Sequence, residues 1–253
     1  MFKIISILSL ALLPFSAFAE NKFVDITYHQ EQNSNNQPDW KSTDLSYTQK
    51  ANDNYWQFSV RQHERYNLKD NEVFFNGTNN VLESDTSKTF MSYSLGAGDF
   101  NKNGYLPEYR AGFSLQQTYK DGSISPIFDY KYSKYQSSFV NYFALAGEKY
   151  IGNWRFLAGV WTSDSSFYKP TYGVRSQVSY YLNDTDSINY YFSTGEEPEI
   201  VGNFAKVYNI TSHAITSKVL IDKNLYFNIG IDKTINQGNY SRTGLTIGLS
   251  YAF

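Results

Sequence analysis

The chain has no cysteine, and its 253 residues include only 3 His, 6 Pro and 2 Met. Without cysteine it has no disulfide framework, no thiolate metal site, no Cys nucleophile and no lipidated N-terminal Cys. A dominant charge is also lacking, since 22 Lys+Arg against 24 Asp+Glu leave a formal −2 and a pI near 5.9. A chain so balanced offers no electrostatic footprint for nucleic acid. Beyond the N-terminus no apolar run approaches the roughly 20 residues that a spanning helix needs. What it has instead is aromatics. Tyr 23, Phe 19 and Trp 4 make up 18% of a chain whose mean hydropathy is −0.49. Disordered chains are poor in aromatics, so disorder is excluded. The length fits one domain or at most two.

The N-terminal segment reads as an address rather than as structure. Met1-Phe2-Lys3 is a short basic start, Ile4 to Leu13 is apolar, and Ala17-Phe18-Ala19 has the A-x-A form of a cleavage site. These are the parts of a secretory signal peptide over 1–19, with cleavage expected after Ala19 and a single exported domain over 20–253. A retained anchor helix is the alternative, but Glu20-Asn21-Lys22 follows at once and the apolar stretch is short for one.

The exported part shows no helical periodicity. It alternates polar and apolar residues in segments of about 10, the signature of a transmembrane β-barrel. Val24-Ile26-Tyr28 oppose Asp25-Thr27-His29, and Trp56-Phe58-Val60 oppose Gln57-Ser59-Arg61. Tyr109-Ala111-Phe113-Leu115 oppose Arg110-Gly112-Ser114-Gln116, and the last segment sets Leu245-Ile247-Leu249-Tyr251-Phe253 against Gly244-Thr246-Gly248-Ser250-Ala252. An eighth segment, about Ser138 to Lys149, has two mixed faces. Fourteen segments emerge, or twelve if a weak one is loop. An even number places both termini on the periplasmic side, as single-chain outer-membrane barrels require.

The connections agree. The inward turns fall at Asn52-Asp53-Asn54, Ser84-Asp85-Thr86, Asp121-Gly122, Ile151-Gly152-Asn153, Asn183 to Asp186 and Asp222-Lys223-Asn224, all short and rich in turn formers. The outward set includes Glu31 to Asp39, Asn67 to Asp70, Asp99 to Leu106, Ser163 to Lys169, Glu196 to Gly202 and Ile235 to Tyr240, mostly longer, with Gln136-Ser137-Ser138 as a short exception. The expected fold is therefore all-β, an antiparallel up-and-down barrel of about fourteen strands in the outer membrane of a Gram-negative envelope. A secreted β-sandwich would alternate in the same way. Against it stand the aromatics near strand ends (Trp40, Tyr55-Trp56, Trp154, Trp161, Tyr180-Tyr181), read as interfacial girdles. The expected partners are outer-membrane lipid and, through the last strand ending in Phe253, the barrel assembly machinery.

These residues carry a family resemblance. Asp39-Trp40, Arg65-Tyr66 to Asp70, Pro107-Glu108-Tyr109-Arg110-Ala111-Gly112, Val140-Asn141-Tyr142, Glu148 to Arg155 and Gly195-Glu196-Glu197-Pro198 together resemble the YaiO family of outer-membrane β-barrel proteins. The resemblance implies location and fold. It supplies no activity and no mechanism.

Charges at expected lumen positions are the candidate functional set: Asp25, Asp44, Arg61, Arg65, Arg110, Asp129, Lys131, Arg155, Arg175 and Asp232. Inside a barrel a charge is solvated or paired across strands, whereas one facing lipid at mid-depth would cost about 2–4 kcal/mol. One outcome is a structural ion-pair lattice. The other is a selective lining, with Arg and Tyr contacting a saccharide or other polar solute in a narrow or plugged pore. A surface-loop scaffold for a partner is the rival reading, and an outer-leaflet lipid hydrolase or acyltransferase a third. Catalysis would need a base beside a Ser or Thr, and only His29, His63 and His213 are available. His213 adjoins Ser212, but adjacent strand residues point to opposite faces. No enzyme, no cofactor and no metal site are expected, since the three His show no ligand spacing.

Overall fold

The computed structural model describes residues 21–34, 38–65, 67–98, 105–166, 168–201, 204–238 and 240–253. The expected signal segment and part of the Asp99 to Leu106 link lie outside the described residues. Fourteen strands follow in order. They are β1 (Asn21–Asn33), β2 (Trp40–Ala51), β3 (Asn54–Arg65), β4 (Leu68–Glu83), β5 (Ser87–Gly98), β6 (Tyr109–Tyr119) and β7 (Ser125–Lys134). The second half comprises β8 (Phe139–Ile151), β9 (Trp154–Ser165), β10 (Tyr168–Tyr181), β11 (Ser187–Val201), β12 (Phe204–Asp222), β13 (Leu225–Asn236) and β14 (Tyr240–Ala252). Each strand pairs antiparallel with its sequence neighbours, and β1 pairs with β14 from Phe23↔Ala252 to Asn33↔Arg242. The sheet is thus a closed barrel with no free edge. Both termini lie at one end.

Closure has a physical cause. Hydrocarbon offers no partner for backbone N–H and C=O groups, so each must be paired within the sheet. The two faces then divide the side chains. Ile26, Leu95, Leu145, Val160, Ile231 and Leu249 stand exposed on the outer face, while Ser46, Ser59, Ser179 and Ser250 are buried on the inner one. A sandwich with a dry core would show the reverse, so the observed inversion excludes it.

At the end carrying the termini the turns match the expected positions. Asn52, Gly122 and Gly152 take positive φ there, the conformation that Asn and Gly tolerate best. The opposite end differs from expectation. Strands β1, β4, β9, β10, β11 and β13 run on into segments read as loop, so Asp70, Ser163, Lys169 and Glu196 are strand residues. Of the outward links, only 34–39 and 99–108 remain long. Strand pairing continues past the roughly 9–11 residues that cross the bilayer, because the extended segments still satisfy each other's backbone groups.

The aromatics also divide differently from the girdle reading. Trp154 lies on the outer face against Tyr180 and Phe156, with ring centroids 4.7 and 6.2 Å away. Trp40 and Trp161 point inward and are buried. Trp161 lies across Gly173 and Gly195, where a Cβ would come within 2.3 and 2.6 Å of its ring. These two tryptophans fill the barrel rather than mark its borders.

Two expectations follow. Leu115→Arg, on the lipid face at the middle of β6, should lower unfolding free energy in lipid vesicles by about 2–4 kcal/mol. Ser114→Arg, its lumen-facing neighbour opposite Asp129, should cost less than half as much; equal losses would overturn the assignment of faces. In the turn before β11, Asp186 Oδ1 accepts from the Leu220 N–H at 2.7 Å. That bond first, and the Asn183 amide next, hold its carboxyl below the ordinary carboxylate value. The stability it supplies is complete above that ordinary value and is lost as pH falls through the lowered one. Asp186→Asn should therefore flatten the acid limb of unfolding measured against pH.

Candidate functional site

The lumen is the concave, polar surface of the molecule. Its wall is built from the inward positions of each strand, and four of the ten candidate charges pair among themselves. Asp44 and Arg61 sit directly opposite in register, and Arg61 Nε and Nη2 both donate to Asp44 Oδ2 at 2.6 Å. Arg175 donates to Asp129 across the two intervening strands β8 and β9. Ala144, Ala146 and Gly159 occupy positions between them, and Trp161, in the same row as Asp129, lies over Gly173 and Gly195.

The other candidates find partners that alternation did not single out. Arg110 Nη2 lies 2.6 Å from Glu72 Oε1. It reaches from β6 to β4 over Gly96 and Gly98 of β5, which carry no side chain. Arg155 donates through Nε to Glu148 Oε2 at 2.6 Å. Asp25 Oδ2 accepts from Ser46 Oγ at 3.2 Å, and Lys131 Nζ sits 5.5 Å from the Tyr142 ring centroid. Asp232 lies 3.8 Å from His29 Nδ1 and fills the space left by Gly244, where a Cβ would be 2.2 Å from its carboxylate. Arg65 stacks over Trp40 and Tyr105.

Glu31, Glu72, Glu148, Arg242, Lys50 and Lys218 are lumen charges that the sequence reading did not select. Glu72 opened a segment of uncertain start and Glu148 lay in the mixed-face eighth one. Register was the missing signal, for Glu72 sits opposite Arg61 once β3 and β4 are paired.

The wall encloses two cavities of about 520 Å³ each. One lies between β7 and β13 and is lined by Asp129, Tyr142, Arg175, Gln177, Tyr191 and Asp232, among others. The second lies toward β1 to β6, with Asp25, Asp44, Arg61, Asn76 and Arg110 on its lining.

The end away from the termini is narrowed by the chain itself. Leu106 and Pro107, just before β6, are buried within the mouth. Asp70 is 1% exposed, and its Oδ2 accepts the N–H groups of Tyr105 and Leu106, each at 3.1 Å. Gly98 N donates to Glu108 O at 3.0 Å, and Glu108 N donates to Lys134 O at 2.7 Å. Tyr105 is pushed up to about 12, chiefly by burial, with Arg65 opposing and Asp70, Glu72 and Glu64 adding to the rise. Residues 105–108 thus form a strap across the mouth, anchored on one buried carboxylate.

The histidines fall into two environments. His29 and His63 face the lumen, the first on Thr246 at 2.8 Å and the second 3.4 Å from Glu72. Neither reaches the lipid face that outer-leaflet chemistry would require. His213 does face outward, hydrogen-bonded to Tyr190 at 2.8 Å, while Ser212 turns inward to Thr234. His29, Glu31 and Asp232 bring donor atoms within 4.8 Å of one another, but Arg242 already stands 3.7 Å from Glu31 as its counter-charge.

Comparisons with known proteins match this geometry. The family model described as the YaiO membrane beta barrel domain matches residues 21–200. A search of the curated proteins returns no match. Among solved structures, the outer membrane protein Omp33 of Acinetobacter baumannii superposes with a TM-score of 0.53 at 10% identity, covering 92% of this chain and 99% of that one. OpdO of Pseudomonas aeruginosa gives 0.52 at 8% identity, covering 92% and 96%. The NanC porin gives 0.50 at 12% identity, covering 90% and 98%. At these identities the likeness is one of fold.

The strap supplies a test. Asp70→Ala leaves the buried Tyr105 and Leu106 amides without acceptors, at about 1–3 kcal/mol each. Their hydrogen exchange should accelerate by about tenfold or more, while the Gly98 amide, held by Glu108 O, changes less. Unchanged exchange at 105 and 106 would mean that Asp70 is not the anchor.

Proposed function

The chain belongs to the YaiO membrane β-barrel family of the outer membrane, and on that premise we propose that its lumen is a narrow, partly strapped pore for a small polar solute, with a saccharide as the favoured class. One observation carries the reading: beside the buried Trp40 and Trp161, the interior among the described residues holds two cavities of about 520 Å³ with charged side chains on their linings, Asp129, Arg175 and Asp232 in one and Asp25, Asp44, Arg61 and Arg110 in the other. Tyr191 is 39% exposed although it points inward, leaving an open aromatic face beside Gln177, Asp129 and Arg175. Aromatic faces with adjacent hydrogen-bonding groups suit a sugar ring, whose C–H face packs on the ring while its hydroxyls bind the polar rim. Paired charges line the path without leaving a large field of one sign, so they orient a polar solute without trapping it. The role is passage or holding of a solute rather than chemistry. With both termini on the periplasmic side, the strap closes the outer mouth.

Planar-bilayer recording of refolded protein tests this. A small conductance is expected, rising in Asp70→Ala as the strap loosens. Arg110→Gln and Arg175→Gln should each alter it while heat-modifiable migration is kept. No conductance in any of these proteins, together with no glucose-driven swelling of proteoliposomes, would remove the pore reading.

A further inference from the structure

Three aromatic rings in the lumen are each flanked by two cationic side chains. Toward the strapped mouth, Trp40 has the guanidiniums of Arg65 and Arg242 4.3 and 4.1 Å from its ring centroid. Further in, Phe74 has those of Arg61 and Arg110 at 5.4 and 5.5 Å. At the end carrying the termini, Phe23 has the ammoniums of Lys50 and Lys218 at 5.1 and 5.7 Å. All six distances lie within the range of attraction between a cation and a ring face.

The three rungs differ in how their charge is balanced. In the middle rung Arg61 is held by Asp44 and Arg110 by Glu72, each at 2.6 Å. In the first, Arg242 has Glu31 at 3.7 Å. The last rung has no such partner: no carboxylate among the described residues lies within ion-pairing distance of Lys50 or Lys218. Asp25, two residues from Phe23, takes its hydrogen bond from Ser46 and acts on Lys218 only at longer range. Lys218 also lies 4.4 Å from the Tyr226 ring, which itself packs on Phe23. Lys218 is acted on by the attraction of Asp25 and, less strongly, by the repulsion of Lys50, and both ammoniums stand over the same ring.

We propose that Lys50, Phe23 and Lys218 form an anion-binding subsite at the periplasmic end of the lumen, which makes the pore favour small solutes bearing a carboxylate or phosphate. This rests on the reading of the lumen as a solute path and names the solute's charge. The order of the rungs supports a solute in transit over a docked acidic protein segment. Both arginines of the middle rung are held by carboxylates and Arg242 of the first has Glu31, while neither lysine of the last has a carboxylate at ion-pairing distance among the described residues. A path needs sites favourable enough to enter yet weak enough to leave. Two ammoniums with a wet surround, without a bidentate arginine, meet that condition.

Isothermal titration of inorganic phosphate and of glucuronate into the detergent-folded full-length barrel tests the site, with glucose as the uncharged control. Wild type should bind both anions, Lys50→Gln/Lys218→Gln should lose binding severalfold or more, and Lys50→Arg/Lys218→Arg should retain it. In proteoliposome swelling, glucuronate should enter wild type faster than glucose. The Gln double variant should lose that preference, admitting glucuronate no faster than glucose. Failure of wild type to bind either anion, or equal binding by the Gln variant, overturns the proposal. If the Gln variant does not fold, the salt dependence of wild-type binding decides: screening by added KCl must weaken it, and salt-independent binding refutes the site. Lysine-dependent phosphate binding without any swelling would defeat the pore reading and leave the subsite standing. Binding of an acidic peptide without binding of phosphate would assign the rung to a protein partner and overturn the solute proposal.

Discussion

The pairing of β1 with β14 is the interaction on which the rest depends. Until Phe23 to Asn33 meet Arg242 to Ala252, two strands present unpaired backbone groups that a bilayer cannot satisfy. The contact joins residues more than two hundred positions apart, so it is among the slowest to find in folding. Once it forms, every inward position is committed to a confined, curved space and every outward one to lipid. The Phe253 N–H, donated to Lys22 O at 3.0 Å, carries the same ladder to the last residue. The aromatic ending of the chain, with Tyr251 and Phe253 stacked at 6.3 Å and Phe253 against Tyr47 at 6.4 Å, covers the seam.

Confinement then decides which side chains can meet. On a flat sheet a long residue pairs with the one directly opposite, as Asp44 does with Arg61. Inside a barrel the wall curves inward, and arms from strands that are not neighbours converge wherever the strands between are bare. Gly96 and Gly98 open the way for Arg110 to reach Glu72. Gly244 does so for Asp232 toward His29, and Gly159 with two alanines for Arg175 toward Asp129. The small residues on the inner face are gaps through which the charge network is threaded.

That geometry explains what was legible in the sequence. Strand number, alternation, the inward turns and the membrane location follow from period and turn chemistry, which are local. Asp44 with Arg61 was open to the same kind of reading. Arg110 with Glu72 was not, because it depends on the register of three strands at once. Trp40 and Trp161 were misread for a related reason. A tryptophan near a strand end fits an interfacial girdle by position alone, and only its parity relative to neighbours shows it facing inward. The outward loops were overestimated because polar composition marks exposure to water rather than the end of pairing; Asp70 and Lys169 are polar strand residues. The strap at 105–108 had no sequence signal, since its anchor is a backbone contact to a carboxylate far away in the chain.

The state of the charges separates the two ends of the barrel. Glu72 and Glu148, at 2% and 4% side-chain exposure, are held by Arg110 and Arg155, and a buried charge stripped of its partner costs several kcal/mol. An apolar fill of the same volume would serve stability as well or better, but it would close the lumen to water. Retaining ion pairs leaves the wall polar, which suits the solute path proposed above. Toward the outer mouth Arg110 with Glu72, Asp70 and the strap cluster together, while Arg155 with Glu148 pairs beside the turn at the end carrying the termini. At that same end Lys50 and Lys218 share the Phe23 ring with no carboxylate at ion-pairing distance among the described residues, Asp25 acting on Lys218 only from farther off. On the reading proposed for this rung, its counter-charge arrives with the solute.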